Sequence, residues 1–173
     1  MKSRILAGLI LITAVLAVTV ALAQVAADIQ KYPDCKYCGM DRQKFAHSRM
    51  VLEYADGSGT GLCSIHCAAV DLAQGIDKTP KTIQVADYGA KNLLDAEKAS
   101  WVIGGHRPGV MTRRAKWAFA DQSAAAAFVK EHGGQPASFD DAMKASYEDM
   151  YADTKMIREK RAKKKQRQSA AKP

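Results

Sequence analysis

The sequence predicts an α+β fold of two small lobes, each a pair of strands followed by an alanine-rich helix, with one more helix at the C-terminus. Three observations predict it. Short alternating segments are separated by strong turn signals. The order of strands, Ala-rich helix and glycine occurs twice, once around Gly61–Gln74 and once around Trp117–Glu131. A final segment from Phe139 carries apolar residues at helical spacing.

In the first lobe, Asp28–Asp34 reads as a polar lead-in and Cys35–Ser48 as loop with irregular turns. Arg49–Tyr54 alternates as a strand, Asp56-Gly57-Ser58-Gly59 is a hairpin turn, and Thr60–Ile65 returns as the second strand. His66–Gln74 presents Ala68, Ala69, Leu72 and Ala73 on one helical face, with Gly75 as C-cap. In the second lobe, Thr82–Ala86 is strand-like and Lys91–Ser100 is ambiguous between strand and helix. Trp101–Ile103 is a strand, Gly104–Arg114 a loop rich in turn residues, and Ala115–Ala120 the next strand. Asp121 is placed to cap a helix over Gln122–Glu131, closed by Gly133-Gly134. Ser138 caps a last helix from Phe139 to about Lys165, with Phe139, Met143, Tyr147, Met150 and Tyr151 as its apolar stripe.

The N-terminus reads as an export signal. Lys2 and Arg4 precede the apolar run Ile5–Val20, and Ala21-Leu22-Ala23 is a small-x-small cleavage site. The expected boundaries are a signal peptide over 1–23, a metal-binding domain over 24–154 with lobes at about 32–78 and 79–136, and a basic tail over 155–173. The alternative is an uncleaved membrane anchor, since Ile5–Ala27 nearly matches a bilayer. Export places the chain in the periplasm, where thiols meet an oxidising environment.

The formal charge is +8, and it is uneven. Lys155–Pro173 holds nine Lys and Arg against one Glu, whereas Gln24–Thr154 holds 15 basic and 17 acidic residues. The basic balance therefore belongs to the tail, read as a solvated or disordered run that attracts an acidic partner patch or makes membrane-surface contact. Nucleic acid is not an expected partner of an exported chain.

All four cysteines lie in two clusters, Cys35-Lys36-Tyr37-Cys38-Gly39-Met40 and Cys63-Ser64-Ile65-His66-Cys67, with 24 residues between Cys38 and Cys63. Thiolates joined by the thioether of Met40 or the imidazole of His66 suit Cu(I) or another soft metal. Gly39 allows the backbone to turn so that Cys38 and Met40 aim at one point. Two other readings stand beside this one. C-x2-C paired with C-x3-C has the spacing of structural zinc sites, which would make the chain a zinc-binding interaction module. C-x2-C also occurs in dithiol redox proteins, although here it precedes any clear strand. Haem attachment is excluded because Gly39, not His, follows Cys38. The spacing leaves open whether Cys35, Cys63 and Cys67 bind metal or pair as disulfides. Met50 and Met143 are expected in the core, and His106 and His132 in solvent. No Ser-His-Asp pattern, H-E-x2-H or phosphate-binding glycine loop is present, so the chain is expected to be a binding protein and not an enzyme.

Cys38-Gly39-Met40, the hairpin Tyr54-Ala55-Asp56-Gly57-Ser58, the cysteine-bearing helix start, and the loop Pro108-Gly109-Val110-Met111 before Lys116–Ala120 resemble the NosL family, accessory proteins of nitrous oxide reductase. The resemblance covers about Tyr32–Met150. It implies a pair of strand-strand-helix-strand lobes and a periplasmic Cu(I)-binding metallochaperone that helps deliver copper to the reductase or its assembly transporter. It further implies Cys38 as thiolate ligand, Met40 as thioether ligand, and Met111 as a second thioether from the other lobe. His47, His66 and His106 are further candidate ligands, with His66 favoured by its place inside the second cysteine cluster. A sensor or scavenger of metal would carry the same residues.

Overall fold

The computed structural model describes residues 25–171; the export signal expected over 1–23 lies outside them. The first lobe is strand-strand-helix-strand: β1 (Met50–Tyr54), β2 (Gly59–Leu62), α2 (Ile65–Gln74) and β3 (Pro80–Ala86), preceded by a short helix α1 (Ala27–Lys31). The second repeats that order with β5 (Ser100–Ile103), β6 (Lys116–Phe119), α3 (Gln122–His132) and β7 (Gln135–Ala137). Between them lies β4 (Leu93–Asp95), and the long helix α4 (Phe139–Ala170) closes the chain. Both sheets are antiparallel, in the orders β2-β1-β3-β4 and β6-β5-β7. The fold is therefore α+β, two small lobes with a C-terminal helix.

The local causes are those of the sequence. Asp56 Oδ1 accepts from the Ser58 N–H at 2.8 Å, and Gly57 takes φ +81°, which closes the β1–β2 hairpin. Asp121 accepts from the Ala124 N–H at 2.8 Å and starts α3. Ser138 and Asp141 form a reciprocal capping box at α4.

β3, read as the start of the second lobe, pairs with β1 and so belongs to the first, which moves the lobe boundary past 79. Four further elements differ from what their own residues suggest. The polar lead-in contains α1, whose Asp28 pairs with Arg42 and Arg49 at 2.9 and 2.8 Å. The ambiguous segment yields the short strand β4. β7 contains Pro136, which the sheet accepts because β7 is an edge strand pairing only with β5. The buried face of α4 is not the large stripe expected: Tyr147 and Tyr151 are exposed, while Ala142, Ala145, Ser146, Asp153 and Met156 are buried with Phe139. Small residues there let α4 approach α2, which buries Ala68 and Ala69. The helix continues to Ala170, so the basic segment is solvated, as expected, but helical.

One apolar core runs through both lobes, from Met50, Leu52, Leu62 and Cys67 to Trp101, Val102, Trp117 and Phe128. Hydrogen bonds also cross the seam: Tyr88 N–H donates to Ala118 O at 2.8 Å, and Ala120 N–H donates to the Asp87 side chain, at Oδ2, at 2.8 Å. No helix of the described residues is long and apolar enough to cross a membrane.

Candidate metal centre

Two chain reversals build the site. Cys35–Gly39 forms a tight knuckle in which Gly39 N–H donates to Cys35 O at 2.9 Å and Cys35 N–H to Met40 O at 2.9 Å. Gly39 sits at φ +68°, a conformation that disfavours any residue with a Cβ. Lys36 N–H reaches Gly61 O at 3.1 Å, which fixes the knuckle to β2. At the other side, β2 ends at Leu62, Cys63 follows, Ser64 is extended as the N-cap of α2, and Cys67 lies in that helix's first turn. The orphan N–H groups and positive end of the helix favour a thiolate there.

These reversals bring Sγ of Cys35, Cys38, Cys63 and Cys67 within 4.8 Å of one another. Cys38 and Cys63 lie 3.4 Å apart, Cys63 and Cys67 3.7 Å, and all four are free thiols. Sulfurs at about 2.3 Å from a tetrahedral ion would stand roughly 3.8 Å apart, so the quartet is spaced to share one ion. Cys35, Cys63 and Cys67 are buried, at 2%, 0% and 1% exposure, whereas Cys38 is half-buried. Hydrogen bonds from Cys38, Cys63 and Cys67 hold the Cys35 thiol far below its ordinary value. Cys38 is also lowered: its bond with Cys35 opposes this, and those with Cys63 and Cys67 outweigh it. Cys63 and Cys67 are pushed up by the same contacts with Cys35 and Cys38, reinforced by burial. Sulfurs this close lose their first proton easily and hold the last, and a cation among them removes that conflict.

The other expected ligands are placed as follows. Met40 and Met111 are both half-buried against the core. Met111 has φ +62°, unusual for a residue with a side chain. Its loop is tied to α4 by Arg113 N–H donating to Asp153 Oδ1 at 3.0 Å. Asp153 Oδ2 in turn lies 3.7 Å from His66 Nδ1, beside Cys67 in sequence. His66 is not within the quartet's mutual reach. Its ring is buried, which lowers its pKa against the opposing charge of Asp153. His47 stacks among Phe45, Tyr88 and Trp117. His106 meets His132.

The NosL family model matches residues 26–147. The chain belongs to the NosL family. No curated protein matches it. Among solved structures, the crystal structure of the copper chaperone NosL from Shewanella denitrificans is similar, with a TM-score of 0.50 and 21% identity, over 62% of this chain and 87% of that one. At that identity the likeness shows a shared fold.

Two supports of the cysteine quartet in this NosL-family chain were not read in the sequence. Arg42 is fully buried beneath the knuckle and donates to Leu62 O at 3.2 Å, Asp28 O at 2.8 Å, Tyr32 O at 2.6 Å, Met50 O at 3.0 Å and Asp28 Oδ2 at 2.9 Å. It therefore ties α1 to the end of β2 just before Cys63. Asp71 on α2 accepts from Lys36 Nζ at 2.9 Å, from Tyr37 OH at 2.6 Å and from Tyr54 OH. Lys36 and Tyr37 are the two residues between the knuckle cysteines, so Asp71 anchors the knuckle to the helix that carries Cys67. Asp71 stands out in the sequence as an acid within the apolar run Ala68–Ala73, whereas Arg42, between Asp41 and Gln43-Lys44, gives no such signal.

Proposed function

We propose that this chain is a periplasmic Cu(I)-binding metallochaperone that hands copper to a receiving protein, such as nitrous oxide reductase or its assembly transporter. The observation that carries the reading is the quartet of free thiols in a NosL-family chain, three buried and one, Cys38, half-exposed. Soft thiolates suit Cu(I). A buried set with one accessible sulfur suits transfer by ligand exchange, because an incoming thiolate, thioether or imidazole can attack at Cys38 while the others retain the ion. Met40, two residues on, and Met111 supply thioethers for the intermediate stages. The basic end of α4 supports docking beside this exit: Arg161 donates to Cys38 O at 3.1 Å. It favours a receiver with an acidic face, and an anionic membrane surface is the alternative partner for the same charges. The proposed role is binding and delivery, without catalysis.

Competition titration of reduced protein against a Cu(I) chelator tests this. Cys38→Ser is expected to weaken Cu(I) binding by roughly a hundredfold, about 2.7 kcal/mol, and Met40→Leu by less. Unchanged affinity in Cys38→Ser refutes the assignment.

The near-tetrahedral sulfur spacing favours one rival, a structural zinc centre. Elemental analysis of protein isolated from the periplasm separates the two. Stoichiometric zinc whose removal unfolds the chain supports the rival; copper bound in its place, on a fold that persists without metal, supports delivery.

A further inference from the structure

Away from the cysteines, two imidazoles meet at the far end of the second lobe. His106 lies in the turn after β5, and His132 is the last residue of α3. His106 N–H donates to His132 O at 2.9 Å, which locks the turn onto the helix end. Glycines make the approach feasible: a Cβ on Gly105 would sit 2.7 Å from His132 O and 2.8 Å from Gly133 O. The backbone therefore fixes the separation of the two rings. His106 Nε2 stands 3.3 Å from His132 Nδ1, with the rings near perpendicular at 82°. The His132 ring is held from behind by Phe128, at 4.7 Å between centroids. Its other nitrogen, Nε2, lies 3.4 Å from Glu131 Oε1.

We propose that His106 and His132 form a second metal site, independent of the cysteine quartet, for one divalent imidazole-seeking ion such as Zn(II), Ni(II) or Cu(II). Ring nitrogens at about 2.0–2.1 Å from a tetrahedral ion stand roughly 3.3–3.4 Å apart, which matches the observed separation. Imidazole suits these ions, whereas the thiolates of the other centre select softer ones. The Glu131 carboxylate, 3.4 Å from Nε2, offers the outer negative charge usual beside a ligating histidine. His106 is exposed, so water completes the coordination. In the metal-free protein the two rings share a proton, which a bound ion would displace.

The test uses the reduced chain titrated with Zn(II), which does not oxidise thiols, past whatever its cysteines take up. Imidazole proton and nitrogen NMR signals provide the readout. One further equivalent is expected to shift the His106 and His132 signals, through Nε2 and Nδ1 respectively, and to leave His47 and His66 unmoved. His106→Ala should abolish that equivalent, and His106→Gln, which keeps a polar side chain, should abolish it too. Glu131→Gln should weaken it about tenfold. The proposal is overturned if Zn(II) moves no histidine signals, moves all four alike, or binds both His106 variants with the same affinity, since the pair is then a hydrogen bond between side chains only. Cysteine loading is read separately, so a failed copper assignment at the quartet leaves this result interpretable.

Discussion

Replacing Arg42 with Met keeps the length and bulk of the side chain while removing its charge and donors. In the folded chain this strips partners from Leu62 O and Tyr32 O and weakens the capture of Asp28, which keeps Arg49 at 2.8 Å. Breaking a buried ion pair by removing one member costs about 3–5 kcal/mol. The surviving Arg49 contact argues for the lower part of that range, and the unpaired carbonyls argue for the upper. A loss of about 3–5 kcal/mol is a large share of the roughly 5–15 kcal/mol that stabilises a typical domain. At about 2–4 °C per kcal/mol for a chain of this size, the melting point should fall by roughly 6–20 °C. Denaturant unfolding of metal-free protein measures the loss directly. Because Arg42 positions the strand end before Cys63, metal at about a thousand times its Kd should restore about 4 kcal/mol in either protein, less any affinity the variant has lost. A midpoint within about 0.5 kcal/mol of the parent, the range of ordinary surface substitutions, would refute the view that this buried guanidinium holds the knuckle in place.

Gly61→Ala should destabilise by about 1–3 kcal/mol in the same unfolding assay, because its Cβ would sit 2.3 Å from Tyr32 Cβ and 2.8 Å from Arg42 Cζ. Asp71 gives a pH signature. Burial alone would raise its pKa, but bonds from Tyr37, Tyr54 and Lys36 outweigh this and hold it below the ordinary carboxylate value. Its contribution is therefore complete above the unfolded value of about 3.9 and is lost as pH falls through the lower folded value. Unfolding free energy followed from pH 6 downward should lose part of its acid slope in Asp71→Asn. Iodoacetamide on native, metal-free protein should label Cys38 first, because the other three sulfurs are almost fully covered. Mass spectrometry should find one adduct before the rest, and bound Cu(I) should suppress it.

Much of this fold was legible because its signals are local. Asp121, Ser138 and the Asp56-Gly57-Ser58-Gly59 turn act within a few residues of themselves, and each does in the structure what its chemistry suggests. β7, implied by the family resemblance, was not legible in its own residues, since Pro136 argues against a strand unless one knows that the strand lies at a sheet edge with a single partner. Nor was the burial of α4. Alanine and serine outweigh tyrosine there because what matters is how closely α2 approaches, a fact about another segment. Its extension to Ala170 follows from a composition of Lys, Arg, Gln and Ala that favours helix wherever a helix has already begun. At the site, the two cysteine clusters were plain in the sequence, and their zinc-like spacing offered a shared ion as one reading, but what holds the clusters together was not legible. Their meeting depends on Arg42 and Asp71, charged residues that in a sequence read as surface.

The helical arm past Arg161 runs roughly 14 Å further at 1.5 Å per residue, with every residue from Arg158 to Ala171 exposed. It begins at the carbonyl of Cys38, so the approach to the one reachable sulfur passes through a positive field over about a Debye length. A bare metal cation is repelled along that approach. If the quartet carries metal as proposed, cargo would enter most easily already wrapped in ligands that cancel or reverse its charge, so the mouth of the site would sort incoming metal by the sign of its escort.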